Sequence, residues 1–318
     1  MTAVVVQPSP SPAGPPAGTG PVTRKRASRA PYLLVGPAAL LIIATNLIPG
    51  LAAFYTSLRD MVFFTDNGYV GFENYSSLFA NSGTWKAVGV SLQFTFLALL
   101  FGSLAALLTA LAVNRMGARG RLIMTLFLVP WAMSPLVVAI LWKWILAPFD
   151  GGLLVGILRV VGLGPVALLS DDTGAMASLV GVAVWRTFAF GAILMLAGLA
   201  QIPSDLYRAA SVDGHNRWEQ FTRITLPLLK PSLLIVFATL TISYFNEVQV
   251  IIGLTEGGPI GHTTTLSYLL YDVGFEESNQ GYGNAIAVLM FVVNMLLILA
   301  YVRILGVNRR PRRMGATA

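Results

Sequence analysis

Four stretches of this chain carry no charged side chain: those between Arg29 and Arg59, Lys86 and Arg115, Arg121 and Lys143, and Glu277 and Arg303. Each is more than 20 residues long. A helix needs about 20 mostly apolar residues to cross the hydrocarbon core of a bilayer. Two further apolar stretches are interrupted by few charges, Ala177–Ala200 by Arg186 and Leu228–Leu254 by Lys230 near its start and Glu247. Six spans are therefore expected, near 32–57, 88–113, 122–147, 177–200, 228–253 and 283–305. Inside a bilayer the backbone must satisfy its own hydrogen bonds, so spans are helices or closed barrels. Barrel strands are short and alternate in polarity, whereas these runs are long and continuous. The reading is an all-α membrane protein with six transmembrane helices. Composition excludes the soluble alternative: 55% of the 318 residues are hydrophobic and 11% are charged, against about 25% charged in a soluble domain.

Basic residues orient the spans, because Lys and Arg collect on the cytoplasmic side. With the N-terminus inside, the inner segments hold Arg24, Lys25, Arg26 and Arg29; Arg115, Arg119 and Arg121; Arg208, Arg217, Arg223 and Lys230; and Arg303, Arg309, Arg310, Arg312 and Arg313, which is 16 of the 21 basic residues. Most acids fall outside: Asp60, Asp66, Glu73, Asp150, Asp171, Asp172, Glu256, Asp272, Glu276 and Glu277. Six spans return the C-terminus to the cytoplasm. The net charge of +7 is then accounted for by topology and by anionic lipid at the inner leaflet. Nucleic acid is not an expected partner, since the basic residues are scattered over four segments and form no single patch.

Three regions flank the spans. Residues 1–30 form a tail rich in Pro, Gly, Ala and Ser, a composition that stays disordered. Residues 31–306 form the transmembrane domain, and 307–318 a basic C-terminal tail. Between spans four and five lies an inner segment, 201–230, unlike a plain connector. Pro203 and Ser204 start a helix with Asp205 in its first turn, where an acid complements the helix dipole. Leu206, Ala209 and Ala210 share one face at helical spacing. Asp213-Gly214 ends that helix, because Gly supplies a turn conformation at little steric cost. A second short helix follows with Trp218, Phe221 and Ile224 apolar, and Pro227 and Pro231 mark re-entry into the next span.

Those residues carry a resemblance. Tyr207-Arg-Ala-Ala-Ser-Val-Asp-Gly-His215, followed by Phe221-x-x-Ile224-x-Leu-Pro227-x-x-x-Pro231, resembles the EAA loop of the permease subunits of binding-protein-dependent ABC importers. Arg208 stands where the family usually has Glu, and His215 where it usually has Ala. Leu254-Thr-Glu-Gly-Gly-Pro259, Thr263-Thr-Thr-Leu266, Tyr268-x-x-Tyr271, Gly281-Tyr-Gly-x-Ala285 and Val70-Gly-Phe-Glu-Asn-Tyr75 are similar to the carbohydrate-type subfamily. The resemblance implies a MetI-like core in the bacterial inner membrane. It also implies a second permease subunit, two ATPase subunits on the cytoplasmic side and an extracytoplasmic solute-binding protein. Tyr207, Arg208, Ala209, Ala210, Asp213, Gly214 and His215 would then couple the chain to an ATPase subunit.

The chemistry is that of a conduit. A phosphate-binding P-loop needs Gly-Lys before Ser or Thr. None of Lys25, Lys86, Lys143 and Lys230 follows a glycine, so ATP and its Mg are expected on the partner ATPase subunits. His215 and His262 fall on opposite sides of the membrane in this topology, and the chain has no cysteine. Neither a metal site nor a catalytic constellation is expected. Polar residues at membrane depth are costly and face protein or water. Tyr244, Asn246, Glu247 and Gln249 in the fifth span, with Arg186 in the fourth, offer hydrogen-bonding groups and an aromatic face for a sugar ring. Interhelical bonding, or an ion pair between Glu247 and Arg186, is the alternative use of the same residues. Gln93 and Asn294 are milder cases, and Lys143 with Trp144 read as membrane-interface anchors. The expected function is half of the translocation path for a sugar. An ion-coupled transporter is the rival for the class, and a polyol or glycerol phosphate the rival for the solute.

Overall fold

The computed structural model describes residues 30–148, 152–162 and 167–304. The tails expected at 1–30 and 307–318 lie outside the described residues except for Ala30, as does Asp150. The chain divides between Gly50 and Leu51 into two units. The helix α1, Val35–Thr56, contains a π turn at Ile43–Leu47. Its two polar side chains before the division bond back to their own helix, Thr45 Oγ1 to the Leu41 carbonyl and Asn46 Nδ2 to that of Ile42. That satisfies them without a partner helix.

The second unit opens with a hairpin, β1 (Arg59–Val62) and β2 (Thr65–Tyr69), antiparallel with a bulge after Asp60. Among the described residues these are the only strands. The short helix α2 (Glu73–Ala80) leads into α3 (Ser82–Arg115). Next come α4 (Arg119–Ala132), α5 (Pro135–Ile145), α6 (Leu153–Val160) and α7 (Asp172–Leu199). The loop helix α8 (Ser204–Val212) precedes α9 (Arg217–Phe245) and α10 (Gln249–Leu254). The unit closes with α11 (Leu266–Tyr271) and α12 (Gln280–Ile304).

Helices α3, α7 and α9 form its centre. Between lipid-embedded helices there is no hydrophobic driving force, so close packing of small residues must hold them together. The sequence provides it: Ala98, Gly102, Ala106 and Ala110 repeat every fourth residue down α3, and all are buried. On α7, a Cβ at Gly191 would sit 3.0 Å from the Ala106 Cβ. Two turns further along nearly the same face of α7, a Cβ at Gly198 would sit 2.7 Å from Ser232 Cβ on α9. A second cluster joins Leu78 and Ala87 to Phe245, Leu266, Ile286 and Met290, seating α11 and α12 against the end of α3.

Two expected spans are not straight helices. The stretch 122–147 is α4 and α5, bent by 93° at Met133-Ser134. Pro130 and Pro135 each remove a backbone donor there, and the residue before a proline is steered away from helical geometry. The fifth span starts earlier and ends sooner than 228–253. It runs without interruption from the loop, so Pro227 and Pro231 mark no re-entry. A π turn at Phe221–Thr225 lets the Leu226 N–H bond the Phe221 carbonyl five residues back. This shift of register accommodates the proline that follows.

A buried ion pair at a helix break and the exposed loop helix

Glu247 sits where the fifth span breaks. Helix α9 ends at Phe245 with Asn246 as its C-cap, and α10 starts at Gln249. The Glu247 Oε2 accepts from Arg186 Nη2 at 2.8 Å, and Oε1 accepts from the Val250 N–H at 3.2 Å. One carboxylate therefore neutralises a guanidinium and satisfies a free N–H in the first turn of α10, a group every helix start leaves unpaired. Only 7% of the Glu247 side chain and 12% of the Arg186 side chain are exposed, so this pair lies largely out of solvent, where breaking one partner is costly. Arg186 is the fifteenth of the 28 residues of α7, half-way along it.

Hydroxyl groups complete the network. Ser267 Oγ donates to the Glu247 carbonyl at 2.7 Å, and Thr265 Oγ1 lies 2.8 Å from Ser267 Oγ. Ser91 Oγ on α3 accepts from the Leu266 N–H at 2.7 Å. Thr187 Oγ1 donates to the Ala183 carbonyl at 2.8 Å. Its one proton being used, it accepts from the Tyr244 hydroxyl at 2.6 Å. Tyr244 is buried, and its ring meets Phe94 edge-on with centroids 6.2 Å apart.

The five residues expected on a substrate path thus separate into two sets. Arg186, Glu247 and Tyr244 belong to one buried network. Asn246 and Gln249 are exposed. Asn246 bonds the Ile242 carbonyl and accepts from Asn294 Nδ2 at 3.4 Å. Both Asn residues line a groove of about 410 Å³ with Leu270, Met290 and Phe291. Gln93 lines a different groove of about 510 Å³ between α3 and α7, beside His262, whose Nε2 is 3.2 Å from Asp172 Oδ2. Lys143 Nζ meets Glu256 Oε1 at 2.6 Å, tying α5 to the loop after α10. The sequence reading missed Thr187, Ser267, Thr265 and Ser91. Isolated hydroxyls in apolar runs are common, and only the Ser/Thr cluster before α11 signalled them.

At the other end of the bundle, α8 ends at the Asp213 C-cap and Gly214 turns the chain with φ of +82°. The His215 N–H bonds the Ala210 carbonyl at 2.9 Å, a left-handed glycine closure of the helix end. The next helix is capped by Asn216: Asn216 Oδ1 accepts from the Glu219 N–H and Glu219 Oε2 from the Asn216 N–H. Asp213 is exposed, and Arg208 pairs with Asp205 on its own helix. His215 Nε2 lies 3.0 Å from Arg223 Nη1, and the Tyr207 hydroxyl 3.0 Å from Thr225 Oγ1. Ala209 is exposed, while Ala210 is buried against the turn. Among the described residues no cluster of acids and histidines suited to a metal is present.

Residues 98–309 match the family described as the binding-protein-dependent transport system inner membrane component. The chain belongs to that family. It is 33% identical over 281 residues to the trehalose/maltose transport system permease protein MalF of Thermococcus litoralis, covering 88% of this chain and 94% of that protein. It is 30% identical to the trehalose transport system permease protein SugA of Mycobacterium tuberculosis, covering 89% and 91%. The sn-glycerol-3-phosphate transport system permease protein UgpA of Agrobacterium fabrum is 32% identical, covering 84% and 91%. The fold matches a chain of a bacterial ABC transporter involved in import of the acidic polysaccharide alginate, with a TM-score of 0.75 at 23% identity, over 88% of this chain and 96% of that one. This chain is therefore a membrane subunit of a binding-protein-dependent ABC importer, with the MetI-like fold. The helix breaks at α4/α5 and α9/α10 would also suit an ion-coupled transporter; membership of this family decides against that rival.

Proposed function

We propose that this subunit forms half of the path for a neutral sugar in the bacterial inner membrane, with α8 pressing on a separate ATPase subunit that holds ATP and Mg. The observation that carries the neutral solute is the Arg186–Glu247 pair: the one guanidinium half-way along α7 is already neutralised at 2.8 Å. A phosphorylated or acidic solute would need an unpaired cation there. Relatives named for trehalose and maltose transport support the same class, and the relative named for glycerol phosphate marks the alternative. Asn246 and Gln249 are the exposed groups with open faces for sugar hydroxyls. A second permease, two ATPase subunits and an outer binding protein complete the proposed assembly, with both termini of this chain cytoplasmic.

The test is uptake by the whole importer in proteoliposomes with ATP inside. Labelled maltose and trehalose should accumulate, and glycerol 3-phosphate should not compete. Competition by glycerol 3-phosphate, with no sugar uptake, overturns the neutral-solute reading. Uptake that survives removal of ATP overturns the importer role of α8. Exposed acids and Gly214 at the loop make the second arm specific: Gly214→Leu should stop uptake while sugar-binding protein still docks.

A further inference from the structure

Beside the loop helix runs a groove of about 860 Å³ that the path proposal does not use. Its wall on α3 is Leu104, Leu107, Leu108 and Leu111, ending at Asn114 and Arg115. Its other wall is α8 and the start of α9, where Arg217 and Trp218 stand at the mouth and Tyr207 and Phe221 lie inside. Leu104 and Leu108 are about half exposed and Trp218 is 69% exposed.

Three features fix what fits. Polarity runs one way, from leucine to guanidinium. The 11 residue steps from Leu104 to Arg115 rise about 16 Å at helical pitch, close to half of a hydrocarbon core of about 30 Å. Neither Arg115 nor Arg217 has an acidic partner among the described residues, and the exposed indole beside them suits a headgroup layer. A one-leaflet apolar slot with two unpaired cations at its mouth matches a lipid with an acyl chain and an anionic headgroup.

We propose that this groove is a binding site for one anionic phospholipid, seated against the coupling loop. Its acyl chain lies along Leu104–Leu111, and Arg115 and Arg217 hold its phosphate. Tyr207 and Phe221 line the same slot, so the lipid braces the hinge between α8 and α9. The inference requires only that the chain is embedded in a membrane, so it stands apart from the choice of solute.

The experiment uses the assembled importer in nanodiscs carrying a small fraction of photoactivatable phosphatidylglycerol, with adducts located by peptide mass spectrometry. Adducts are expected on the peptide containing Leu104–Leu111. Photoactivatable phosphatidylcholine should give far fewer. Each arginine near an anionic surface is worth about a fivefold change in affinity, so R115Q/R217Q should lower the phosphatidylglycerol adducts by about 25-fold. Leu108→Trp, which fills the slot from the wall, should lower adducts of both lipids. Equal labelling by the two lipids, or unchanged labelling in R115Q/R217Q, overturns the proposal. So does a partner-subunit peptide crosslinked at Leu108→Cys in place of lipid, since a protein helix then covers the groove.

Discussion

The ion pair at the α9/α10 break and the loop helix at the other end carry similar residue types, charges beside small side chains, under opposite conditions. Around Glu247 the buried groups are matched within the chain: the carboxylate, its carbonyl, Thr187, Tyr244 and Ser267 are all bonded, while Arg186 Nε has no partner among the described residues. Around Gly214 the backbone is closed just as carefully, by the Ala210 carbonyl and the Asn216–Glu219 capping box. Its charged side chains nevertheless face outward. The Asp213 side chain makes no hydrogen bond or ion pair among the described residues, and a Cβ on Gly214 would meet nothing within 4 Å. Low dielectric makes an unmatched charge intolerable in the first region. In the second, solvent tolerates it until a partner arrives. The bundle is thus built to keep its shape, and the loop is built to be met.

The largest effect should come from unmatching the buried pair. Glu247→Ala leaves Arg186 charged and unpaired and removes the acceptor for the Val250 N–H. Loss of one partner of a buried pair costs about 3–5 kcal/mol, to be read as a fall in thermal midpoint and in yield of assembled complex. The double change Arg186→Met with Glu247→Leu should recover most of that stability, since an apolar pair of similar volume is often neutral. Sugar uptake by that stable double variant would show that the pair serves the bundle alone. Loss of uptake with stability restored would place it in the path.

Next comes the small-residue seam, which the comparison requires to be rigid. Gly198→Ala puts a methyl against Ser232 Cβ and Leu229 Cδ2, the latter at 3.0 Å. Overpacking of this kind costs about 1–3 kcal/mol. Ala110→Gly, at a position already small, should cost less by the same thermal measurement. If the two proved equally harmless, the seam would be looser than the contacts imply. Gly214 inverts the expectation. A side chain there has room but must adopt a left-handed backbone, at about 1–2 kcal/mol, which Asn tolerates better than Leu. Gly214→Asn should keep both fold and uptake. Gly214→Leu should keep the fold, by membrane yield, and lose ATP-dependent uptake. An Asn variant as inactive as Leu would mean that the partner, rather than the backbone, excludes the side chain.

Much of this contrast was legible in the sequence. Charge-free runs announced the spans, and Asp213-Gly214 announced the end of the loop helix, because a break in hydropathy or a left-handed glycine is a local property. What escaped is what depends on three-dimensional neighbours. A hydropathy average over 122–147 does not register the 93° bend at Met133-Ser134, although Pro130 and Pro135 mark its place. The apolar residues Val250–Leu254 hid the end of α9 at Phe245, so Glu247 read as a helix-interior residue when it stands in a break. Pro227 pointed to a boundary that a π turn removes. Arg186 and Glu247 were each visible as misplaced charges; that they meet follows only from the packing of α7 on α9.

The smallest effect tests the solvent-exposed side of the comparison at the opposite end of α7. Asp171 caps that helix, accepting from the Thr173 hydroxyl at 2.5 Å and the Gly174 N–H at 2.9 Å. Those bonds, the hydroxyl first, hold its carboxyl below the usual aspartate value. A lowered folded-state pKa contributes stability that is present above the ordinary value, near 4, and is lost as pH falls through the folded one. Because Asp171 is exposed, the loss should fray only the first turn of α7. Amide exchange at Gly174 and Ala175 should quicken, relative to its intrinsic rate, as pH falls below about 4. Asp171→Asn keeps an oxygen that can cap but has no proton to gain, so in that variant the dependence should vanish. A pH response that survives in Asp171→Asn would show that the cap is not its origin.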